Sequence, residues 1–148
     1  MTPLELIKYA KIAQKRAKAT YSQYYVGAAL LTDTNEVILG CNIESKAYPT
    51  TLCAERVAIF SAISQGYSKF QSMALITKDG AFPCGSCRQI IHEYTPNIPI
   101  YIANESGDFI SKKANVTYQI FDSPTMNGNF EERTKQIKAL ISPVLSNK

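Results

Sequence analysis

Two short cysteine motifs constrain this chain more strongly than any other feature of its sequence. They read Cys53-Ala54-Glu55-Arg56 and Pro83-Cys84-Gly85-Ser86-Cys87. Structural zinc sites take four protein ligands, whereas catalytic sites usually hold three and leave one position for water. Three clustered cysteines therefore predict a catalytic site for one Zn²⁺ ion, with Cys53, Cys84 and Cys87 as its ligands. Glu55, two residues after the first ligand, is the expected carrier of the water's protons.

Both motifs are expected to stand at the beginnings of helices. The first turn of a helix presents unpaired backbone N–H groups and a positive dipole end, which stabilise a thiolate. Cys84 and Cys87 are three residues apart, so a helix would project both from one face toward a single ion. Arg56 comes three residues after Cys53 and Arg88 directly follows Cys87, and we expect both arginines to donate hydrogen bonds to the sulfurs.

Other interpretations of these cysteines remain open at this point. A lone CxxC pair can be a redox centre, three cysteines can be half of a structural site between subunits, and a buried cysteine is often a small hydrophobe. Cys41 fits this last description, since it lies in a predicted strand without a neighbouring ligand. Glu55 by itself could be a favourable charge at a helix start. However, neither a redox nor a structural site requires a glutamate at this spacing.

Length and charge set the outer limits of the function. A chain of 148 residues predicts a single domain over 1–148. No apolar run approaches the roughly 18 residues of a membrane span, and the N-terminus lacks the order of a secretory signal, so we expect a cytoplasmic protein without membrane partners. The net charge of +4 is too small to predict a nucleic-acid partner. The lysines at 8, 11, 15 and 18 are better explained as the solvated side of an amphipathic helix.

Hydrophobic periodicity and turn residues predict an alternation of strands and helices, which is typical of a layered α/β domain. The predicted helices cover residues 3–18, 53–65, 84–94 and 130–141. The predicted strands cover 26–32, 36–42, 72–77 and 99–103, with a further strand from 109 onward. A polar turn at 33–35 is expected to join the first two strands as a hairpin, and 123–129 is a predicted loop.

The chain resembles the small, zinc-dependent, homotetrameric cytidine deaminases. The resemblance runs from about residue 21 to 101, and the segments that carry it are Tyr21-Ser22, Val26-Gly27-Ala28-Ala29-Leu30, Gly40-Cys41-Asn42-Ile43-Glu44, Tyr48-Pro49 and the two cysteine motifs. It implies a three-layer α/β/α sandwich with a five-stranded mixed sheet. It also implies hydrolysis of cytidine and deoxycytidine to uridine and deoxyuridine with release of ammonia, a reaction of pyrimidine salvage, in a homotetramer with one Zn²⁺ per subunit.

The resemblance also implies roles for individual residues. Glu55 would pass protons from the activated water to N3 of the pyrimidine and to the departing amine. The backbone N–H of Ala54 and the carbonyl of Phe82 would hold the base. Asn42 and Glu44, which share one face of a strand, would hold the ribose 3′-hydroxyl.

The resemblance implies roles for two tyrosines as well. Tyr24 would stack on the base, at a position where the family commonly has phenylalanine, and Tyr48 would contribute to a neighbouring subunit's site.

The segment from about 115 departs from the family pattern. The family's Leu-Leu-Pro-x-x-Phe stretch, whose phenylalanine reaches the neighbouring subunit's site, is absent here.

Three alternatives to a deaminase of free cytidine remain. The chain could act on a modified cytosine nucleoside, or on bases within nucleic acid, which would require a basic channel for the strand. It could also be a zinc-stabilised binding module without catalysis, although such a module would not need Glu55.

Overall fold

The computed structural model of the protein describes residues 1–112 and Glu132. The chain divides into two units, Met1–Val116 and Thr117–Lys148, and every element described below belongs to the first. Most of the predicted helix at 130–141, the predicted loop at 123–129 and the atypical segment from about 115 lie outside the described residues. The expectation of a single domain over 1–148 therefore stays a prediction.

The described part contains three α-helices, five strands and one short 3₁₀ helix at Tyr48–Thr50. The helices are α1 (Pro3–Gln14), α2 (Ala54–Ser64) and α3 (Gly85–Tyr94). The strands are β1 (Gly27–Thr32), β2 (Val37–Cys41), β3 (Phe70–Ile76), β4 (Ile100–Ala103) and β5 (Phe109–Lys112). The α-helices and strands all lie where the sequence pattern predicts them, with bounds that differ by a few residues, whereas the 3₁₀ helix has no counterpart among the predicted elements.

The largest difference is at the end of α1, which was expected to reach residue 18 and ends at Gln14. After a turn at residues 15–16, Lys18 forms an isolated parallel β-bridge with Ile43, just beyond β2. The amide of Lys18 donates to the Asn42 carbonyl over 2.9 Å, and the Glu44 amide donates to the Lys18 carbonyl over 2.9 Å. Helix propensity in this lysine-rich stretch is a weak preference, and pairing with the chain after β2 overrides it.

The five strands form one mixed sheet in the order β2-β1-β3-β4-β5, with helices on both faces. Only β3 and β4 pair in parallel, because α3 forms the crossover between them. The buried residues of α1 pack on one face, whereas those of α2 and α3 pack on the other. The predicted three-layer α/β/α sandwich with a five-stranded mixed sheet is therefore confirmed.

Two glycines allow the helices to approach the sheet closely, one on each face. A Cβ atom at Gly27 would lie 2.0 Å from the Ala10 carbonyl oxygen of α1. A Cβ atom at Gly40 would lie 2.2 Å from the carbonyl oxygen of Ala54, in the first turn of α2. No side chain fits at such distances, so a glycine at position 40 fixes how near the start of α2 comes to β2.

The lysines of the first helix are exposed, opposite its buried side, as expected for an amphipathic helix. Among the helices of the described part, none combines the length and the apolar character needed to cross a bilayer.

Candidate metal centre

Helices α2 and α3 bring the three predicted ligands together. Cys53 is the N-cap of α2, Cys84 is the N-cap of α3, and Cys87 lies one turn into α3. Their sulfur atoms all lie within 4.8 Å of one another. Two separate stretches of sequence thus converge on one point, because both helices begin at the same end of the same layer.

The cluster fits one zinc ion in both geometry and chemistry. A zinc–thiolate bond is about 2.3 Å long, so small side-chain rotations would bring all three sulfurs onto one ion. Thiolates are soft ligands that favour zinc over magnesium or calcium. Three cysteines leave the fourth tetrahedral position for a water molecule, which is the arrangement of a catalytic site.

The surroundings of Cys53 favour the thiolate form of its side chain. Its pKa is lowered to about 5, first because the Cys87 thiol donates a hydrogen bond to it and then because Arg56 lies beside it. One Arg56 nitrogen, Nη2, is 3.8 Å from the Cys53 sulfur and also donates to the Thr51 carbonyl over 3.0 Å. Within residues 1–112 the Nε of Arg56 is buried without a hydrogen-bond partner, so this guanidinium has an unused donor beside the cluster.

Glu55 is buried beside the three sulfurs, with 5% of its surface exposed. Burial raises the pKa of its carboxyl to about 7, and the neighbouring Cys53 thiolate adds to the rise. Hydrogen bonding from the residue's own backbone amide lowers this pKa in turn, without cancelling the rise. A carboxyl whose pKa lies near neutrality can both accept and release a proton, which is the property of a general acid–base group.

A cavity of about 400 Å³ opens beside the cluster. Glu55, Cys53 and Cys84 are among the residues that line it. The other residues that line it are Ser22, Tyr24, Val26, Asn42, Glu44, Thr51, Leu52, Leu75, Thr77, Ala81 and Phe82. Such a volume lies in the range of small-molecule sites.

Asn42 and Glu44 both line this cavity, and both are held by the segment before β1. The Asn42 side chain donates to the Tyr24 carbonyl over 2.8 Å and accepts from the Val26 amide over 2.9 Å. The Glu44 carboxylate accepts from the hydroxyl and the amide of Ser22 and from the Tyr21 amide. These bonds, led by the one from the Ser22 hydroxyl, hold the pKa of Glu44 below its usual range.

Two polar residues beside the cavity were missed in the sequence. The Tyr24 hydroxyl donates a hydrogen bond to Asp79, and the Thr77 hydroxyl donates to the same oxygen over 3.2 Å. Thr77 and Asp79 directly follow β3, and polar residues just beyond the carboxyl end of a central strand often line a ligand site. The position of Thr77 and Asp79 just after a predicted strand was therefore the sequence signal that could have identified them.

The other residues predicted for the site differ in burial and position. Ala54 is fully buried at the first position of α2, and Phe82 is 59% exposed at the cavity wall. Tyr48 is 85% exposed on the 3₁₀ helix. Arg88 is exposed on α3, and within residues 1–112 no hydrogen bond joins its side chain to a sulfur. Its predicted bond to a thiolate therefore stays a prediction.

Comparison with known proteins gives one consistent family. Residues 2–102 match the model of the cytidine and deoxycytidylate deaminase zinc-binding region. A cytidine deaminase of Sporosarcina psychrophila is 43% identical over 107 residues, which cover 70% of this chain and 79% of the relative. The crystal structure of a cytidine deaminase from Burkholderia pseudomallei is 39% identical, with a TM-score of 0.75 over 77% of this chain and 94% of that one.

A relative with a different name also matches. A blasticidin-S deaminase of Bacillus cereus is 32% identical over 111 residues, which cover 67% of this chain and 77% of the relative.

Proposed function

This chain belongs to the cytidine and deoxycytidylate deaminase family, and on that premise we propose that it hydrolyses free cytidine and deoxycytidine. The products are uridine or deoxyuridine and ammonia. The observation that carries the proposal is the burial of Glu55 beside three converging thiols, in the lining of a cavity of about 400 Å³.

Cys53, Cys84 and Cys87 hold the zinc ion, and Glu55 moves the protons. When bound, zinc acts as a Lewis acid that allows a water molecule to lose a proton near neutral pH. The Glu55 carboxylate accepts that proton and delivers it to N3 of the pyrimidine as the water oxygen bonds to C4. It then takes the proton of the new C4 hydroxyl group and passes it to the amine nitrogen, which leaves as ammonia when the C4–N bond breaks. Burial keeps bulk water away from this carboxyl, which limits proton exchange with the solvent.

The backbone at the start of α2 and before α3 orients the base. The N–H groups in the first turn of a helix have no partner within the helix, so the Ala54 amide is available to an oxygen of the substrate. The carbonyl of Phe82 accepts from the exocyclic amine. Side-chain identity at these two positions matters little, since only backbone atoms take part.

Asn42 and Glu44 together retain the capacity to hold one hydroxyl group. An amide side chain has two N–H donors and two acceptor sites, and Asn42 uses one of each. A carboxylate has about four acceptor sites, and Glu44 uses three of them. A ribose 3′-hydroxyl can therefore donate to Glu44 and accept from Asn42. Tyr24, which also lines the cavity, stacks on the base.

The charges of the cavity favour a nucleoside over a nucleotide. Glu44 lines the cavity and Asp79 lies beside it, and hydrogen bonds lower the pKa of both carboxyl groups, so both are anionic at neutral pH. Among the described lining residues there is no lysine or arginine to pair with a phosphate. A 5′-phosphate would therefore meet repulsion without compensation.

A substrate other than cytidine is the second candidate, favoured by the match to a blasticidin-S deaminase. Ammonia release by the purified zinc-loaded protein separates the possibilities. The panel consists of cytidine, deoxycytidine, cytidine 5′-monophosphate, blasticidin S and a cytosine-containing oligonucleotide. We expect kcat/KM to be highest for the two nucleosides and at least about a hundredfold lower for the nucleotide. Higher kcat/KM for blasticidin S or for the oligonucleotide would overturn the proposed substrate.

We also propose that the protein is a cytoplasmic homotetramer. Large apolar side chains are exposed on the 3₁₀ helix, on α2 and at the end of α3: Tyr48, Ile63, and Phe60 and Tyr94, whose rings meet edge to face. Exposed aromatic side chains of this kind are enriched at subunit interfaces. Native mass spectrometry is expected to give four subunits, and a monomer that is fully active on cytidine would contradict the assembly.

A further inference from the structure

A hydrogen bond joins Tyr24, which lines the cavity, to Asp79, which lies beside the cavity and 55 residues away in the sequence. Tyr24 belongs to the segment before β1. Asp79 belongs to the turn that follows β3 and leads, through Ala81 and Phe82, to the metal-site residue Cys84. We propose that Asp79 is a positioning residue, which fixes the Tyr24 ring against the bound pyrimidine and thereby sets the affinity for the nucleoside.

Asp79 is itself held to the central strand of the sheet. The Thr77 hydroxyl donates to Asp79 over 3.2 Å and accepts from the Ala81 amide over 2.8 Å. Thr77 is 4% exposed and follows directly on β3, so this hydroxyl is anchored in a rigid part of the fold. The exposed Asp79 carboxylate is thereby a fixed acceptor and not a freely rotating surface charge.

The backbone of Tyr24 is also held in place by hydrogen bonds. Its amide donates to the Ser22 hydroxyl over 3.0 Å, and its carbonyl accepts from the Asn42 side chain over 2.8 Å. With the backbone held, the ring can still rotate about its side-chain torsions unless its far end has a partner. The bond to Asp79 supplies that partner and stops the rotation.

The chemistry of the pair supports a lasting bond. The Tyr24 phenol stays protonated because partial burial, followed by the neighbouring Asp79, raises its pKa. The Asp79 carboxyl stays ionised because the Tyr24 hydroxyl lowers its pKa. A hydrogen bond to an ionised acceptor is stronger than a neutral one. A preoriented ring then spares the substrate the entropy cost of ordering it.

This inference rests on the proposed function, because it takes Tyr24 as the wall against which the base lies. For Asp79→Ala we expect the KM for cytidine to rise about tenfold while kcat stays within about twofold, since the proton-transfer machinery is untouched. Asp79→Asn keeps a neutral acceptor and is expected to restore most of the affinity. The matched control is Asp33→Ala, an exposed aspartate in the turn between β1 and β2.

A double-mutant cycle separates positioning from a general effect of the lost charge. If Asp79 acts through the Tyr24 hydroxyl, Tyr24→Phe raises KM by a similar factor and the double variant raises it no further. Multiplication of the two factors in the double variant would overturn the proposal, and so would an unchanged KM in Asp79→Ala. A fall of kcat alone, with KM unchanged, would also contradict it.

A spectroscopic readout keeps this inference distinct from the proposed function. With ¹³Cζ-labelled tyrosine, the Tyr24 resonance is identified by its loss in Tyr24→Phe. It is expected to shift in Asp79→Ala but not in Asp33→Ala. If the wild-type protein released no ammonia from any nucleoside, the proposed function would fail. The link between Asp79 and the Tyr24 ring would still be judged by this resonance, and an unmoved signal would overturn it.

Discussion

Glu55 illustrates how position changes the chemistry of a side chain. An exposed glutamate near a helix start would be a modest stabilising charge. Here the side chain is buried beside thiols, and burial raises the pKa of its carboxyl to about 7. Such burial costs stability, because an ionised carboxylate loses its hydration. A carboxylate kept in such a place is best explained by proton transfer.

Glu55→Gln should leave the fold and zinc content intact and lower kcat for cytidine by about 10²–10⁴-fold, because glutamine fills the same space but cannot carry a proton. The measurements are ammonia release, and zinc content by atomic absorption. Glu36→Gln, a change at an exposed position outside the cavity, is the control. Substantial turnover by Glu55→Gln would remove Glu55 from proton transfer.

The two arginines next to the metal site allow a matched comparison. Arg56 donates to the Cys53 sulfur and to the Thr51 carbonyl, whereas Arg88 is exposed. Loss of a residue that holds a metal ligand typically lowers metal affinity by about 10–100-fold. We therefore expect Arg56→Ala to lose zinc to a competing chelator at a lower chelator concentration than Arg88→Ala does. Equal zinc retention by the two variants would contradict the role of Arg56.

The elements that matter most for the site are the first turns of α2 and α3. Each has a cysteine as its N-cap residue, so the position of these two helix ends decides whether the sulfurs meet. The start of α2 is set by its close approach to Gly40 in β2. The metal site thus depends on a contact between a helix backbone and a sheet backbone.

Gly40→Ala is accordingly expected to destabilise the protein by about 1–3 kcal/mol, the usual range for overpacking, and to weaken zinc binding. The added methyl group would overlap the Ala54 carbonyl oxygen. Gly85→Ala, whose Cβ would meet no atom within 4 Å, is the control. Urea unfolding and chelator competition measure the two effects. Equal stability of both variants would show that the approach of α2 does not depend on Gly40.

The order and type of the described elements could be predicted from local sequence, since cap residues, turn residues and periodicity are local signals. The end of α1 could not, because Lys18 pairs with the chain around Asn42 and Glu44, far away in sequence. Of the site, the cysteine cluster and the place of Glu55 followed from motif spacing. The bond between Tyr24 and Asp79 did not, because it depends on how β1 and β3 pair.

On the scale of the described fold, the sandwich brings the two cysteine motifs, which are about 30 residues apart in the sequence, together at one metal site. The sheet separates α1 from α2 and α3, so the metal site and its cavity draw on α2, α3 and the ends of the central strands. Zinc binding to this centre should also stabilise the folded chain, since an ion that binds only the native state adds its binding free energy to folding.

The most direct test of this account is to measure zinc content and activity together. The purified protein is expected to hold one zinc per subunit, to lose cytidine deamination when a chelator removes it, and to recover when zinc is restored. Triple replacement of Cys53, Cys84 and Cys87 by serine should abolish zinc binding, whereas Cys41→Ser should not. Full activity of metal-free protein, or zinc that stays bound without these three cysteines, would contradict the account.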